Sequence, residues 1–258
     1  MISDMNFLQR IIYILERYGT SYLKGAGTTL LIAIVSTAVG CLIGFAAGVV
    51  QTIPSDKKSD SVFKRGILQF FRIVLNIYVE VFRGTPMIVQ AVFIYYGLSQ
   101  MCNIQLGMWQ AAFLVVSINT GAYMAESVRG GILSVDPGQM EGAKAIGMNH
   151  VQAMTCVILP QAFRNILPQI GNNLIINIKD TSVLSVISIV DLFFVHKSVS
   201  GALYTYFESA TIVMLIYLTM TVVTSRLLRL LENKIDGSDN YEMVDCMDIG
   251  NQLGKKRA

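Results

Sequence analysis

From Gly25 to Val50 the chain carries no Asp, Glu, Lys or Arg, an unbroken run of 26 residues. As an α-helix this run is roughly 39 Å long, more than the ~30 Å hydrocarbon core of a bilayer requires. A buried helix of a soluble protein would show polar residues at a 3.6-residue period, and the run lacks them. Further runs follow the same rule. Gly84 to Ala125 is uncharged for 42 residues, enough for two passes, with a turn signal at Ser99-Gln100, Asn103, Gln105 and Gly107. Between Asn165 and Val190 the only charges are the adjacent Lys179 and Asp180, and Ser209 to Ser225 has none. Five spans are expected, over 25–50, 84–100, 108–128, 161–190 (broken) and 207–230. Charged residues make up 14% of the chain, well under the about 25% of a soluble domain. The fold class read from this is an all-α integral membrane protein with about five transmembrane helices.

The basic residues give the orientation. With the N-terminus outside, 15 of the 20 Lys and Arg fall in internal segments and four outside, with Lys179 within a span. The C-terminus is then cytoplasmic. Residues 1–20 lack a signal-peptide pattern, and 1–24 are expected to form an external segment. Phe7, Ile11, Ile14, Leu15 and Tyr18 form a helical stripe, which predicts an amphipathic helix on the outer surface. Residues 25–232 form the membrane domain, and 233–258 read as a flexible cytoplasmic tail. Residues 66–82 are apolar but interrupted by Arg72 and Glu80, and read as an interfacial helix on the cytoplasmic side.

Several classes of chemistry have little material here. Cys41, Cys102, Cys156 and Cys246 are scattered, and His150 and His196 are the only histidines, so no metal or nucleophile–base site is expected. A net charge of +3 does not suggest nucleic acid as a partner. Gly142 to Gly147 matches the start of a phosphate-binding loop, but Met148 and Asn149 stand where Lys and Ser or Thr are needed. Gly40, Gly44 and Gly48 form overlapping GxxxG units, which predict close helix packing.

The cytoplasmic segment 129–160 is organised. Asp136-Pro137 reads as an N-cap with Pro at the first helical position, and Gly147 as the residue ending that short helix. Met140, Ala143 and Ile146 share one side. Asn149 and Gln152 open a second helix expected to run to Pro160. Lys179 and Asp180 are the most notable charges in the membrane, where a lone charge costs about 2.5–3.5 kcal/mol even on the lenient scale. They either neutralise one another and break the helix, or Asp180, Thr181 and Ser182 line a path for a zwitterion. Glu126 and Asn119 are further candidates, with an ion pair to Arg129 as the plainer expectation for Glu126.

Glu141-Gly142-Ala143, three residues, Gly147, nine residues and Val157-Ile158-Leu159-Pro160 together resemble the EAA loop of permease subunits of bacterial ABC importers. That loop reads Glu-Ala-Ala, three residues, Gly, nine residues, Ile-x-Leu-Pro; this chain departs at Gly142 and Val157. Phe82-Arg83-Gly84-Thr85-Pro86, Tyr123-x-Ala125-Glu126-x-x-Arg129-Gly130-Gly131-Ile132 and Lys179-Asp180-Thr181-Ser182 are similar to the polar amino-acid branch of that family. The resemblance spans residues 20–232 and implies a type-I importer permease fold with a cytoplasmic coupling helix, in a bacterial cytoplasmic membrane. It implies a second permease subunit (a copy or a relative), a cytoplasmic ATPase dimer, an extracellular or periplasmic binding protein and an amino-acid substrate. On this reading ATP and Mg belong to the ATPase, and this chain binds no cofactor. Glu141, Gly142, Ala143, Gly147, Leu159 and Pro160 are its implied ATPase-coupling residues. A secondary transporter or channel working alone is the alternative, against which stand the lack of an internal repeat and the few intramembrane charges.

Overall fold

A computed structural model describes residues 5–54 and 61–236, and among these no strand occurs. The first helix, α1 (Phe7–Thr52), is continuous for 46 residues, or roughly 69 Å. Helix α2 (Val62–Gly84) meets α3 (Met87–Cys102) at a bend of 109°. Next come α4 (Met108–Leu133) and the short α5 (Pro137–Ala145). Helix α6 (His150–Ala153) passes through a π-helical turn, Met154–Ile158, into α7 (Leu159–Asp180). A 3-10 turn at Thr181–Ile187 leads to α8 (Leu192–Leu203) and α9 (Tyr206–Asp236).

Among the described residues, three helices (α1, α4 and α9) are long and apolar enough to cross a membrane alone, with a fourth span if α2 and α3 count as one. The expected fourth segment, 161–190, is not among them. Its helical part, α7, carries Arg164, Asn165, Gln169, Asn172, Asn173, Asn177 and Lys179, and it gives way to the 3-10 turn after Asp180, where the break was expected. It runs antiparallel to α4, with Ile166 against Gly131 and Asn177 against Thr120.

The N-terminal expectation needs correction. No break separates a surface helix from the first span at residue 24. The stripe of Ile11, Ile14 and Tyr18 packs against α8 and α9 instead, with Ile14, Tyr22 and Ala26 beside Leu192, Val195, Val199, Ile212 and Val213. Ser209 ties the contact together, bonding the Tyr22 hydroxyl at 2.7 Å and His196 Nδ1 at 2.9 Å. Arg10 adds an ion pair to Glu208 at 3.1 Å. An apolar face that finds protein partners has no need of the membrane surface. The expected tail from 233 likewise begins inside α9; its remainder, with Cys246, lies outside the described residues.

Helices α1 and α4 run parallel in close contact, and three glycines make this possible. A Cβ at Gly40, Gly44 or Gly48 would lie 2.6, 2.3 or 2.7 Å from the Cβ of Thr120, Met124 or Val128. Without a hydrophobic driving force in lipid, such backbone approach supplies much of the attraction between helices. A Cβ at Gly27 of the same helix would meet nothing within 4 Å. Gly44→Ala is therefore expected to destabilise the detergent-solubilised protein by about 1–3 kcal/mol through overpacking, while Gly27→Ala leaves it unchanged or slightly steadier. Thermal unfolding followed by size-exclusion fluorescence measures both; equal effects would refute the packing assignment.

Candidate functional site

The bend between α2 and α3 follows from Pro86, which has no N–H and disfavours helical geometry at the residue before it. Thr85 is accordingly extended, at φ −120° and ψ 144°. The bend exposes backbone carbonyls inside the helix assembly, and two side-chain amides satisfy them. Gln90 Nε2 donates to the carbonyls of Phe82 and Thr85, each at 2.9 Å. Asn119 Nδ2 donates to the Phe82 carbonyl at 3.1 Å and to Gln90 Oε1 at 3.0 Å. The bend is thereby fixed, and with it the position of Arg83.

Beside the bend lies a cavity of about 400 Å³, within the ~300–1,000 Å³ of small-molecule sites. Arg83, Thr85 and Met87 line it from the bend, Asn119, Thr120 and Tyr123 from α4, and Asn173, Asn177 and Asp180 from α7. The guanidinium of Arg83 sits 5.4 Å from the centroid of the Tyr123 ring. The α7 wall is anchored by Asn177, whose Nδ2 donates to Thr37 Oγ1 at 2.7 Å and Thr120 Oγ1 at 2.9 Å, joining three helices at one buried point. Asn173 Nδ2 donates to the Gln169 carbonyl at 3.0 Å. The cavity thus offers a cation from one element, a carboxylate from another, and amides between them.

The structure separates the residues expected along a path. Asp180 and Asn119 line this cavity. Lys179 and Ser182 line a different one of about 430 Å³, with Phe193, His196, Tyr206 and Tyr217. Thr181 lines neither: it is fully buried and its hydroxyl donates to the Ile178 carbonyl at 3.1 Å. Glu126 pairs with Arg83 rather than Arg129. It lines a third cavity of about 350 Å³ with Gln51, Asn76, Glu80, Arg83 and Arg129, toward the end of the helices that carries the 129–160 loop. Gln90, Asn173 and Asn177 were not among the residues expected at a site, and Arg83 and Tyr123 entered only as parts of motifs. Asn173 and Asn177, four residues apart and separated by Leu174, Ile175 and Ile176, were the available signal for a shared polar helix face.

The 129–160 segment has the expected caps. Asp136 accepts from the Gly138 N–H at 2.7 Å, and Pro137 opens α5. Gly147, at φ 90°, donates to the Lys144 carbonyl at 3.0 Å, and Met148 to the Ala143 carbonyl at 3.1 Å, the bond pair of a Schellman ending. Asn149 and Gln152 form a reciprocal capping box at 2.9 and 3.0 Å. Three details differ from expectation. Ala143 is buried against its own chain, so it docks α5 and offers no surface to a partner. Ile146 is 76% exposed because it leaves helical geometry at the cap. The second helix does not stop at Pro160; the preceding π turn widens the backbone ahead of the proline, and the helix continues to Asp180. Glu141, Gly142, Gly147 and Pro160 are exposed, and Leu159 is half-buried against the α4–α7 core.

Comparison with known proteins agrees with this architecture. Residues 63–237 match the family model described as binding-protein-dependent transport system inner membrane component. The chain is 32% identical over 217 residues to the arginine transport system permease protein ArtQ of Bacillus subtilis (strain 168), covering 84% of this chain and 93% of the relative. It is 36% identical over 214 residues to the glutamine transport system permease protein GlnP of Escherichia coli (strain K12), covering 83% and 92%. A crystal structure of an amino acid ABC transporter with histidines superposes with a TM-score of 0.76 at 35% identity, covering 88% of this chain and 98% of that one. An inward-facing structure of the MetNI methionine ABC transporter, at 18% identity and TM-score 0.63, shares the fold.

The chain belongs to the family of inner-membrane components of binding-protein-dependent transport systems. It is a permease subunit of an ATP-driven importer, and its family places it beside an ATPase and another permease subunit.

Gly147→Ala should strain the end of α5 by about 1–2 kcal/mol, since only glycine adopts the left-handed region without penalty. Gly142→Ala should be tolerated, because nothing lies within 4 Å of a Cβ there. ATP-driven uptake in proteoliposomes is expected to fall for the first and persist for the second. The reverse order would contradict the cap assignment.

Proposed function

We propose that this chain carries a polar amino acid through the cavity beside the α2–α3 bend. A zwitterion needs an acceptor for its ammonium and donors for its carboxylate. Asp180 supplies the first and Arg83 the second, from opposite elements lining one space; this pairing is the observation that carries the reading. The relatives named for arginine and glutamine transport support the substrate class. An external binding protein delivers the amino acid, and two permease subunits complete the path. The N-terminus is outside and the C-terminus in the cytosol, as the basic residues imply. The 129–160 loop then faces the cytosol, where an ATPase dimer binds its nucleotide and Mg and docks on the exposed edge of α5, with Glu141 as the contact charge. This chain performs no chemical reaction and holds no nucleotide.

Co-reconstituted permease, ATPase and binding protein provide the test. A charge-assisted hydrogen bond contributes about 1.5–3 kcal/mol, so Asp180→Asn should lower amino-acid uptake by about tenfold or more. Glu141→Lys should uncouple ATP hydrolysis from uptake while the protein still inserts. Uptake that persists without the ATPase would overturn the importer mechanism in favour of a secondary transporter.

A further inference from the structure

Arg83 belongs to two spaces at once. It lines the cavity beside the bend, with Asp180, and also the polar cavity toward the 129–160 loop, with Glu80, Glu126 and Arg129. Glu126 lines only the second. The ion pair between Arg83 and Glu126 therefore stands where the two cavities adjoin. We infer that this pair is an exchangeable floor: the carboxylate of the amino acid takes Arg83 over from Glu126, and the exchange opens the way toward the cytoplasmic cavity. The inference rests on the reading of the cavity as the amino-acid site.

Three features support exchange over a fixed structural tie. The side chains are 38% and 45% exposed, and an ion pair open to water is weak enough to be replaced. The guanidinium has five donors, more than one carboxylate can use, so a second can approach before the first departs. The Tyr123 ring holds the cation by its face, which keeps Arg83 at the boundary whichever carboxylate it serves. The exchange also gives recognition a consequence. A ligand lacking a free carboxylate cannot compete with Glu126, so the floor stays closed to neutral and cationic amines. Glu126, once released, faces Arg129 and the polar walls of the lower cavity.

The permease–ATPase complex in lipid nanodiscs allows a direct test, by equilibrium binding of L-arginine and L-glutamine and of their carboxamides. Glu126→Gln keeps the shape of the side chain and removes its charge. It should tighten binding of the free acids by about fivefold, the scale of an exposed ion pair, without tightening binding of the carboxamides. Glu126→Asp, with a shorter reach, should shift the same way by less, which guards against a folding defect in one variant. Arg83→Gln should erase the preference for acid over carboxamide. If Glu126→Gln leaves acid binding unchanged or weaker while Asp180→Asn weakens it, the exchange is wrong and the cavity reading stands. If neither Asp180→Asn nor Arg83→Gln alters binding of either probe, both fail together.

Discussion

The contact between α1 and α4 sets the geometry of everything else in the membrane domain. Gly40 lets Thr120 approach the α1 backbone, and Thr37 of α1 comes to lie near the same point. Two hydroxyls from two helices then converge on one amide, Asn177 of α7. A buried amide is costly when unpaired and steadying when satisfied. This one fixes α7 against the α1–α4 pair and brings Asp180, one turn on, to the cavity wall. The polar site is thus positioned by a close glycine-mediated helix contact and by the buried amide that this contact holds.

The second constraint is backbone accounting at the bend. Inside a membrane protein, carbonyls freed by a helix break must find donors within the protein, because lipid supplies none. Gln90 and Asn119 fill that role at Phe82 and Thr85. The bend therefore keeps its freed carbonyls bonded, and Arg83 beside it lines the cavity. Cation, carboxylate and amides come from three separate elements, so motions of the helices relative to one another change the site directly. The capped α5, packed through Met140 on the cluster that holds Ile158, Ala162 and Ile166, gives a rigid handle at the other end of the same helix.

Much of this was legible in the chain. Absence of charge located the long apolar helices, the GxxxG spacing located the closest contact, and the Asp136, Gly147 and Asn149 caps were each read at the residue that makes them. The misreadings share a cause, which is tertiary context. The stripe on residues 7–18 is amphipathic, but periodicity cannot say whether lipid headgroups or two later helices cover it. Pro160 is a strong stop signal, yet a π turn absorbed it. Lys179 and Asp180 are neighbours in sequence, and about 100° of helical rotation per residue was enough to send them to different cavities. Arg83 and Glu126 lie 43 residues apart, too far for any local pattern to pair them.

The central claim is that the amino acid rests between Arg83 and Asp180. The most direct measurement is a structure of the complete permease–ATPase assembly, in lipid, with a transported amino acid bound. The account predicts ligand density in the cavity beside the α2–α3 bend, with the ammonium on Asp180 and the carboxylate on Arg83. Density in the cavity of Lys179, Ser182 and His196 instead, or in the reverse orientation, would contradict it.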